Sequence, residues 1–194
     1  MKRRTVGYDF AFAERYARLQ LIDWWDQKAV SGSTVLVLGA GAVGNEVAKN
    51  LALSGVGRLV IVDFDVVEGS NLTRSVLFRP QDAGRAKAKV AAEAVRRLNP
   101  DVEAIPVVGD MEWDLGHGWF VDADAIVGCV DSVHARLAIN RICRRIGRPW
   151  INTAISATAA EVTLYGAQGP CYECTVDAAA LDDARKYSCT GFRL

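Results

Sequence analysis

The stretch Thr34-Val-Leu-Val-Leu-Gly-Ala-Gly-Ala-Val-Gly44 decides the fold of this 194-residue chain. Its first five residues are apolar or β-branched and predict a buried strand, and glycines follow directly at positions 39, 41 and 44. Gly39 allows a tight turn, Gly41 lets the backbone approach a phosphate, and Gly44 lets the next helix pack against the strand. We therefore predict a strand, a turn and a helix whose N-terminus binds phosphate.

The residues that follow support this prediction. Apolar side chains recur every four residues from Val43 to Leu51, which indicates a helix with one buried stripe. A second apolar strand is expected at residues 58–62. It leads to Asp63, 19 residues beyond Gly44 and close to the ~20 at which a ribose-binding acid is expected. The glycine turn and Asp63 together indicate a nucleotide-binding site but do not identify the nucleotide.

The composition excludes several classes of protein. Hydrophobic residues make up 51% of the chain and charged residues 24%, as in ordinary globular domains. With 23 basic and 23 acidic side chains, there is no bulk field to attract nucleic acid or an anionic membrane. There is no apolar run of membrane-spanning length and no signal peptide, so a cytoplasmic location is expected. Five scattered cysteines argue against a secreted disulfide framework, and we expect Cys129 and Cys143 to be core residues.

The rest of the chain alternates between strand and helix patterns. We expect one or two helices over residues 11–28, then helices over 84–98 and 133–147. Further strands are expected over residues 102–108, 124–130, 150–153 and 161–165. This alternation predicts a Rossmann-like, doubly wound α/β fold with a mainly parallel sheet and helices on both faces.

Charged side chains are expected to meet at the carboxyl edge of this sheet. Arg74 and Lys87 can neutralise phosphate charge, and Asp131 can hold a magnesium ion that bridges phosphate oxygens. A nicotinamide dinucleotide carries only a pyrophosphate and does not need two cations and a metal-binding acid. A triphosphate carries more negative charge and does need them. The alternative for each residue alone is a surface ion pair.

Six motifs occur in a specific order and spacing. They are Gly39-Ala-Gly-Ala-Val-Gly44, Asp63-Phe-Asp65, Ser70-Asn-Leu-Thr-Arg74, Gly84-Arg-Ala-Lys87, Cys129-Val-Asp131 and Cys171-Tyr-Glu-Cys174. From residue 16 to residue 189 the chain thereby resembles the ubiquitin-activating, ThiF/MoeB-type adenylyltransferases. The resemblance implies an enzyme that binds ATP and Mg²⁺ and transfers AMP to the C-terminal glycine carboxylate of a ubiquitin-like or sulfur-carrier protein.

The resemblance also implies roles for individual residues. Asp63 would bind the ribose, Asp131 the magnesium ion, and Asn71, Arg74 and Lys87 the phosphates. The other implied nucleotide contacts are Gly39, Gly41, Ala42, Gly44, Asp65 and Ser70. Arg18, in Arg15-Tyr-Ala-Arg18, would reach the γ-phosphate of a partner subunit, which implies a homodimer. We accordingly expect an N-terminal helical segment over residues 1–33 and an adenylation domain over residues 34–194.

The C-terminal region departs from the family pattern. Cys171 and Cys174 resemble the first half of a structural zinc site, but the second Cys-x-x-Cys pair is missing. Cys189 could be a third ligand, and it also falls where some relatives carry a cysteine that takes the activated carrier as a thioester or persulfide. Three explanations are open, namely that zinc is absent, that a partner supplies a ligand, or that the chain is a fragment of a longer protein. Because the family's last strands and helix are missing too, we favour the fragment.

Three alternatives stay open on the sequence alone. A scaffold of the same fold would bind a ubiquitin-like protein without catalysis, but it would have no need of Arg74, Lys87 and Asp131. A nicotinamide-dependent oxidoreductase would use Asp63, but Arg74, Lys87 and Asp131 would have no function in it. An adenylyltransferase could also act on a peptide or a modified tRNA base instead of a carrier protein.

Overall fold

The computed structural model describes residues 15–156 and 158–177. Within these ranges the strands are β1 (Thr34–Leu38), β2 (Arg58–Val62), β3 (Glu103–Val107), β4 (Ala125–Gly128), β5 (Trp150–Ile155) and β6 (Ala160–Tyr165). They form one sheet in the order β3-β2-β1-β4-β5-β6. Strands β1 to β5 run parallel, and β6 pairs antiparallel with β5.

Helices cover both faces of this sheet. They are α1 (Gln27–Gly32), α2 (Ala42–Ser54), α3 (Lys87–Leu98), α4 (His117–Asp122), α5 (Val133–Ile146) and α6 (Tyr172–Thr175). Short 3-10 turns occupy Leu19–Leu21, Gly69–Thr73 and Pro80–Asp82. Among these helices, none combines the length and apolar character needed to cross a membrane.

Two cores form because successive strand residues point to opposite faces. Val35 and Val37 of β1 pack with α2 and α3 in one core. Leu36 and Leu38 pack with α4 and α5 in the other. Strands buried on both faces are continuously apolar, which is why the pattern of residues 34–38 could be recognised from sequence. The predicted doubly wound, mainly parallel fold is confirmed.

Several element boundaries differ from the sequence-based predictions. The helix expected from residue 84 begins at Lys87, because Gly84 and Arg85 form backbone hydrogen bonds with Val67 instead, both of 2.8 Å. The helical prediction over residues 11–28 was wrong in extent for its described part. A 3-10 turn occupies Leu19–Leu21, and α1 begins only after Asp26, whose side chain accepts from the Ala29 N–H at 3.0 Å.

The strand order reverses between β1 and β4. β1 neighbours β2 on one side and β4 on the other, and Leu38 lies opposite both Val62 and Gly128 at their carboxyl ends. In open α/β sheets, ligands bind in the crevice outside the strands at such a reversal. The residues that follow Leu38, Val62 and Gly128 are therefore the candidates for a binding site.

Candidate active site

The glycine turn after β1 is shaped by two close approaches. Gly39 has φ +96°, and a Cβ atom there would lie 2.7 Å from the carbonyl oxygen of Cys129. A Cβ atom at Gly44 would strike the carbonyl oxygen of Gly39. At Gly41, by contrast, an added Cβ would meet no atom within 4 Å. Gly41 thus leaves open space at the N-terminus of α2, where free N–H groups and the helix dipole favour an anion.

A buried amide, which sequence reasoning missed, holds this turn in place. Asn45 Nδ2 donates to the carbonyl oxygens of Ala40 at 2.8 Å and Gly41 at 3.0 Å. Its Oδ1 accepts from the backbone N–H of Leu77 at 2.9 Å. Asn45 therefore ties the glycine turn to the loop after β2. The apolar pattern gave no signal for it, because Asn45 lies across the helix from the predicted stripe of Val43 to Leu51, which is only partly buried. The fully buried face of α2 consists of small residues and this amide, namely Gly44, Asn45, Ala48 and Ala52.

Asp63, at the end of β2, is bonded directly to the glycine turn. Its Oδ2 accepts from the backbone N–H of Ala40 at 2.7 Å, and its Oδ1 accepts from that of Asp65 at 2.8 Å. Burial raises the pKa of this carboxyl above its usual value, although the two hydrogen bonds and Lys87 lower it in part. Each carboxylate oxygen keeps a further lone pair for a hydroxyl group.

Lys87 lies beside this carboxylate. Its Nζ is 2.8 Å from Asp65 Oδ2, and its backbone N–H donates to the Asp65 carbonyl at 2.9 Å. The Lys87 side chain is only 13% exposed. The structure therefore brings together three residues predicted to form the site, namely Asp63, Asp65 and Lys87, next to the glycine turn.

The 3-10 turn at Gly69–Thr73 positions the next predicted residues. Asn71 is buried, and its Oδ1 accepts from the Glu68 N–H at 2.9 Å. Arg74 is exposed and donates from Nη1 to the Ser70 carbonyl at 2.8 Å. The Ser70 hydroxyl lies 3.2 Å from Glu68 Oε2. Asn71 thus stabilises the turn itself, while the Arg74 guanidinium lies against its own turn at the surface.

Asp131 reaches the same edge from the other side of the reversal. The N–H of Cys129 donates to the Leu38 carbonyl at 2.7 Å, which holds the end of β4 beside the glycine turn. Asp131 follows two residues later and is exposed. Within residues 15–156 and 158–177, no three His, Cys, Asp or Glu side chains group closely enough to hold a metal. A magnesium ion bound through one carboxylate and substrate phosphates nevertheless fits a single Asp131.

Arg18 lies far from this edge in its own chain. Two residues earlier, the Tyr16 hydroxyl accepts from Asn99 Nδ2 at 2.7 Å, and its ring packs against Gly55 just beyond the C-terminus of α2. Gly41 lies at the other end of this 13-residue helix, which is about 20 Å long at 1.5 Å per residue. The structure thus does not bring Arg18 together with the glycine turn of the same chain.

The Cys171 and Cys174 thiols lie next to α5. Their Sγ atoms are 3.7 Å apart, close to the ~3.8 Å that a tetrahedral zinc ion with ~2.3 Å Zn–S bonds requires. Asn140 Nδ2 donates to Cys171 Sγ at 3.4 Å. Burial acts to raise the pKa of Cys171, but hydrogen bonds from Asn140 and Cys174 outweigh it and lower the pKa. Cys189 lies outside the described residues.

Two other cysteines are core residues, as the sequence indicated. Burial raises the pKa of Cys129 to about 11 and that of Cys143 to about 12. Since only the thiolate is a good nucleophile or metal ligand, both residues are inert near neutral pH.

A surface depression of about 590 Å³ lies away from this edge, between α2, α3 and the loop before α3. Arg79, Arg85 and Arg97 contribute to its lining. None of the residues proposed for the nucleotide site lines it, and Arg85 already pairs with Asp82 at 2.8 Å and Glu93 at 2.6 Å. We therefore assign the candidate site to the glycine turn rather than to this depression.

The fold and the crevice at the strand reversal define a doubly wound, Rossmann-like domain. The sequence model of the ThiF family matches residues 13–192, and the chain belongs to this family. It is 38% identical over 173 residues to the SAMP-activating enzyme E1 of Haloferax volcanii, covering 88% of this chain and 64% of that protein. It is 41% identical over 153 residues to the adenylyltransferase and sulfurtransferase MOCS3 of Mus musculus, covering 76% of this chain and 32% of that protein.

A further relative is the human ubiquitin-like modifier-activating enzyme 7, with 38% identity over 165 residues, or 80% of this chain and 16% of that protein. The chain thus spans less than two thirds of the length of each of these relatives.

Proposed function

We propose that this chain forms the adenylation domain of an ATP-dependent enzyme that activates a carrier protein. The substrate is the C-terminal glycine carboxylate of a ubiquitin-like or sulfur-carrier protein, and the product is an acyl-adenylate with release of pyrophosphate. The names of the three relatives, two activating enzymes and an adenylyltransferase, support this class. The observation on which the proposal rests is Asp63, hydrogen-bonded to the glycine turn beside the Lys87–Asp65 pair.

The described contacts suggest how ATP would bind. Asp63 accepts hydrogen bonds from the ribose hydroxyls through its remaining lone pairs. The phosphates lie over Gly41 at the N-terminus of α2, where an added side chain would occupy their space. Ala42 and Gly44 supply the first turn of that helix, and the cations Lys87 and Arg74 approach from the segments after β2.

In this reaction the protein forms no covalent bond to the substrates and supplies no general base. A glycine carboxylate is ionised at pH 7 and needs no general base, so it can attack the α-phosphorus once the repulsion between the anions is reduced. Lys87 and Arg74 reduce this repulsion and hold the phosphates in line with the attack. Magnesium held at Asp131 would supply further charge neutralisation on the phosphate oxygens.

Arg18 enters the proposal only through a second subunit. It lies at the far end of α2 from Gly41, about 20 Å along the helix, so it does not serve the site of its own chain. We propose a homodimer in which Arg18 of each subunit completes the other subunit's site. An arginine supplied in trans would stabilise charge at the γ-phosphate.

The cysteines add two finer proposals. Cys171 and Cys174 have a spacing that suits half of a tetrahedral zinc site, whose other ligands would lie outside the described residues. A later step is assigned to Cys189, on the family resemblance alone. Its thiolate would attack the acyl-adenylate and form a thioester with release of AMP, or, once a sulfane-sulfur donor had converted it to a persulfide, its outer sulfur would attack the acyl-adenylate with the same loss of AMP.

The test is ATP–pyrophosphate exchange with magnesium, with and without ubiquitin-like proteins that end in Gly-Gly. We expect exchange that requires the carrier and falls at least about a hundredfold in Asp131→Ala. Asp101→Ala is the matched control, because Asp101 is an exposed carboxylate just before β3, at the amino edge of the sheet. Its exchange rate should equal that of the wild type.

Two outcomes would contradict the proposal. ATP binding without exchange for any carrier would favour a scaffold of the same fold. Binding of a nicotinamide dinucleotide in preference to ATP would favour the oxidoreductase alternative.

A further inference from the structure

Trp113 is an exposed side chain for which neither the fold nor the proposed reaction accounts. It lies in the loop between β3 and α4 and is 81% exposed. An indole exposed to this degree offers a large flat π-face to a ligand, and what distinguishes Trp113 from the equally exposed Trp24 is its place in the fold.

The loop that presents Trp113 is held in place by its own hydrogen bonds. Asp114 Oδ2 accepts from the Asp110 N–H at 2.8 Å, and Asp110 Oδ1 accepts from the Glu112 N–H at 2.7 Å. On either side of Trp113, Met111 and Leu115 are buried in the core beside α4. The backbone on both sides of the indole is therefore anchored, although the ring itself is open to solvent.

Two contacts place this loop at the candidate site. At its start, the N–H of Asp63 donates to the Val107 carbonyl at 3.1 Å, so the loop leaves the sheet next to the ribose-binding candidate. In its middle, Glu112 Oε2 lies 3.3 Å from His134 Nε2 in the first turn of α5, three residues after Asp131. Trp113 thus stands on a segment that runs from the neighbourhood of Asp63 to that of Asp131.

We propose that Trp113 stacks on the nucleobase of the bound nucleotide. This inference rests on the proposed function and adds a binding residue to it. With the phosphates over Gly41 and the ribose at Asp63, the base lies beyond the ribose, away from the glycine turn. That side of Asp63 is where β3 ends and the Trp113 loop begins. An indole ring offers a large π-face to a base and needs no hydrogen bond to hold it.

The experiment compares two ligands on three variants by titration calorimetry. ATP contains the base, whereas inorganic tripolyphosphate offers only the phosphate chain. In Trp113→Ala the Kd for ATP should rise about tenfold, and in Trp113→Phe by no more than about threefold. The affinity for tripolyphosphate should stay unchanged in both. Trp24→Ala is the matched control, since Trp24 is 80% exposed and lies before α1, and it should bind both ligands as the wild type does.

The outcomes separate this inference from the proposed function. If the wild type binds ATP and Trp113→Ala binds it equally well, the stacking role is wrong and the proposed function stands. If Trp113→Ala lost affinity equally for ATP and for tripolyphosphate, Trp113 would have a structural role in the loop, and the stacking role would be wrong. A variant with normal ATP affinity but a raised KM for the carrier would assign Trp113 to the protein substrate instead. If the wild type binds no ATP, both proposals fail.

Discussion

At the scale of single residues, the glycines of the turn after β1 are needed for different physical reasons. Gly44 is required by packing, because any Cβ there would meet the Gly39 carbonyl. Gly41 has no neighbour within 4 Å of an added Cβ, and its φ of −71° suits any residue. The fold therefore needs the glycine at position 44 and not the one at position 41, and the open space at Gly41 is where we propose that the phosphates bind.

This difference gives a paired prediction. Gly44→Ala should lower the free energy of unfolding by at least about 2 kcal/mol, because backbone has to move to admit the methyl group. Gly41→Ala should change it by less than about 0.5 kcal/mol. The same Gly41→Ala change should weaken ATP binding by about tenfold or more, since the methyl group occupies the phosphate position. Urea unfolding and calorimetry measure the two effects. A Gly41→Ala protein with unchanged ATP affinity would contradict the proposed phosphate position.

At the scale of elements, the 3-10 turn Gly69–Thr73 connects the end of β2 to the segments that lead to α3. Its order depends on Asn71, which is only 9% exposed and accepts from the Glu68 N–H. The Arg74 side chain returns to the Ser70 carbonyl of the same turn. The position of Arg74 therefore depends on the turn, and the turn depends on Asn71.

We expect Asn71→Ala to lower the free energy of unfolding by about 1–2 kcal/mol, because a backbone donor loses its partner. The matched control in the same turn is Thr73→Ala. Thr73 is exposed, and its hydroxyl makes only a 3.4 Å contact with the Ser70 carbonyl, so a change below about 0.5 kcal/mol is expected. Chemical denaturation of both variants tests whether Asn71→Ala is the more destabilising change. Equal stability of the two would show that Asn71 does not stabilise the turn.

At the scale of the whole molecule, the position of Arg18 connects the site to assembly. Tyr16 anchors the segment beside Gly55 and Asn99, at the amino edge of the sheet, whereas the candidate site lies at the carboxyl edge. No side chain spans the length of α2. If Arg18 contributes to the reaction, it has to come from another copy of the chain.

Mixing two inactive variants tests this arrangement. Arg18→Ala and Asp131→Ala should each lose exchange activity, and a one-to-one mixture allowed to exchange subunits should regain about a quarter of the wild-type rate. Half of the random dimers are then hybrids, and each hybrid has one site with both residues intact. No recovery, in a mixture shown to contain hybrid dimers, would contradict the contribution in trans.

Local patterns along the chain account for the predictions that are confirmed. The strand, glycine turn, helix and second strand, with Asp63 at its end, were placed correctly, because each is encoded by neighbouring residues. Cys129 and Cys143 were correctly placed in the core for the same reason. Helix α4 was missed, since a six-residue helix offers too little periodicity to recognise. The division of the chain at residue 33 and the individual roles at the site stay predictions.

By itself, then, the sequence determined the fold class and the order of strand, glycine turn, helix and second strand at the candidate site, because apolar periodicity and glycine spacing act locally along the chain. Only the tertiary structure decided which distant residues meet. Asn45 contacts Leu77 across 32 residues, and Tyr16 contacts Asn99 across 83. The Trp113 loop meets α5 through Glu112 and His134. Such contacts depend on how helices and loops pack over a shared sheet, and no local pattern in the sequence records that packing.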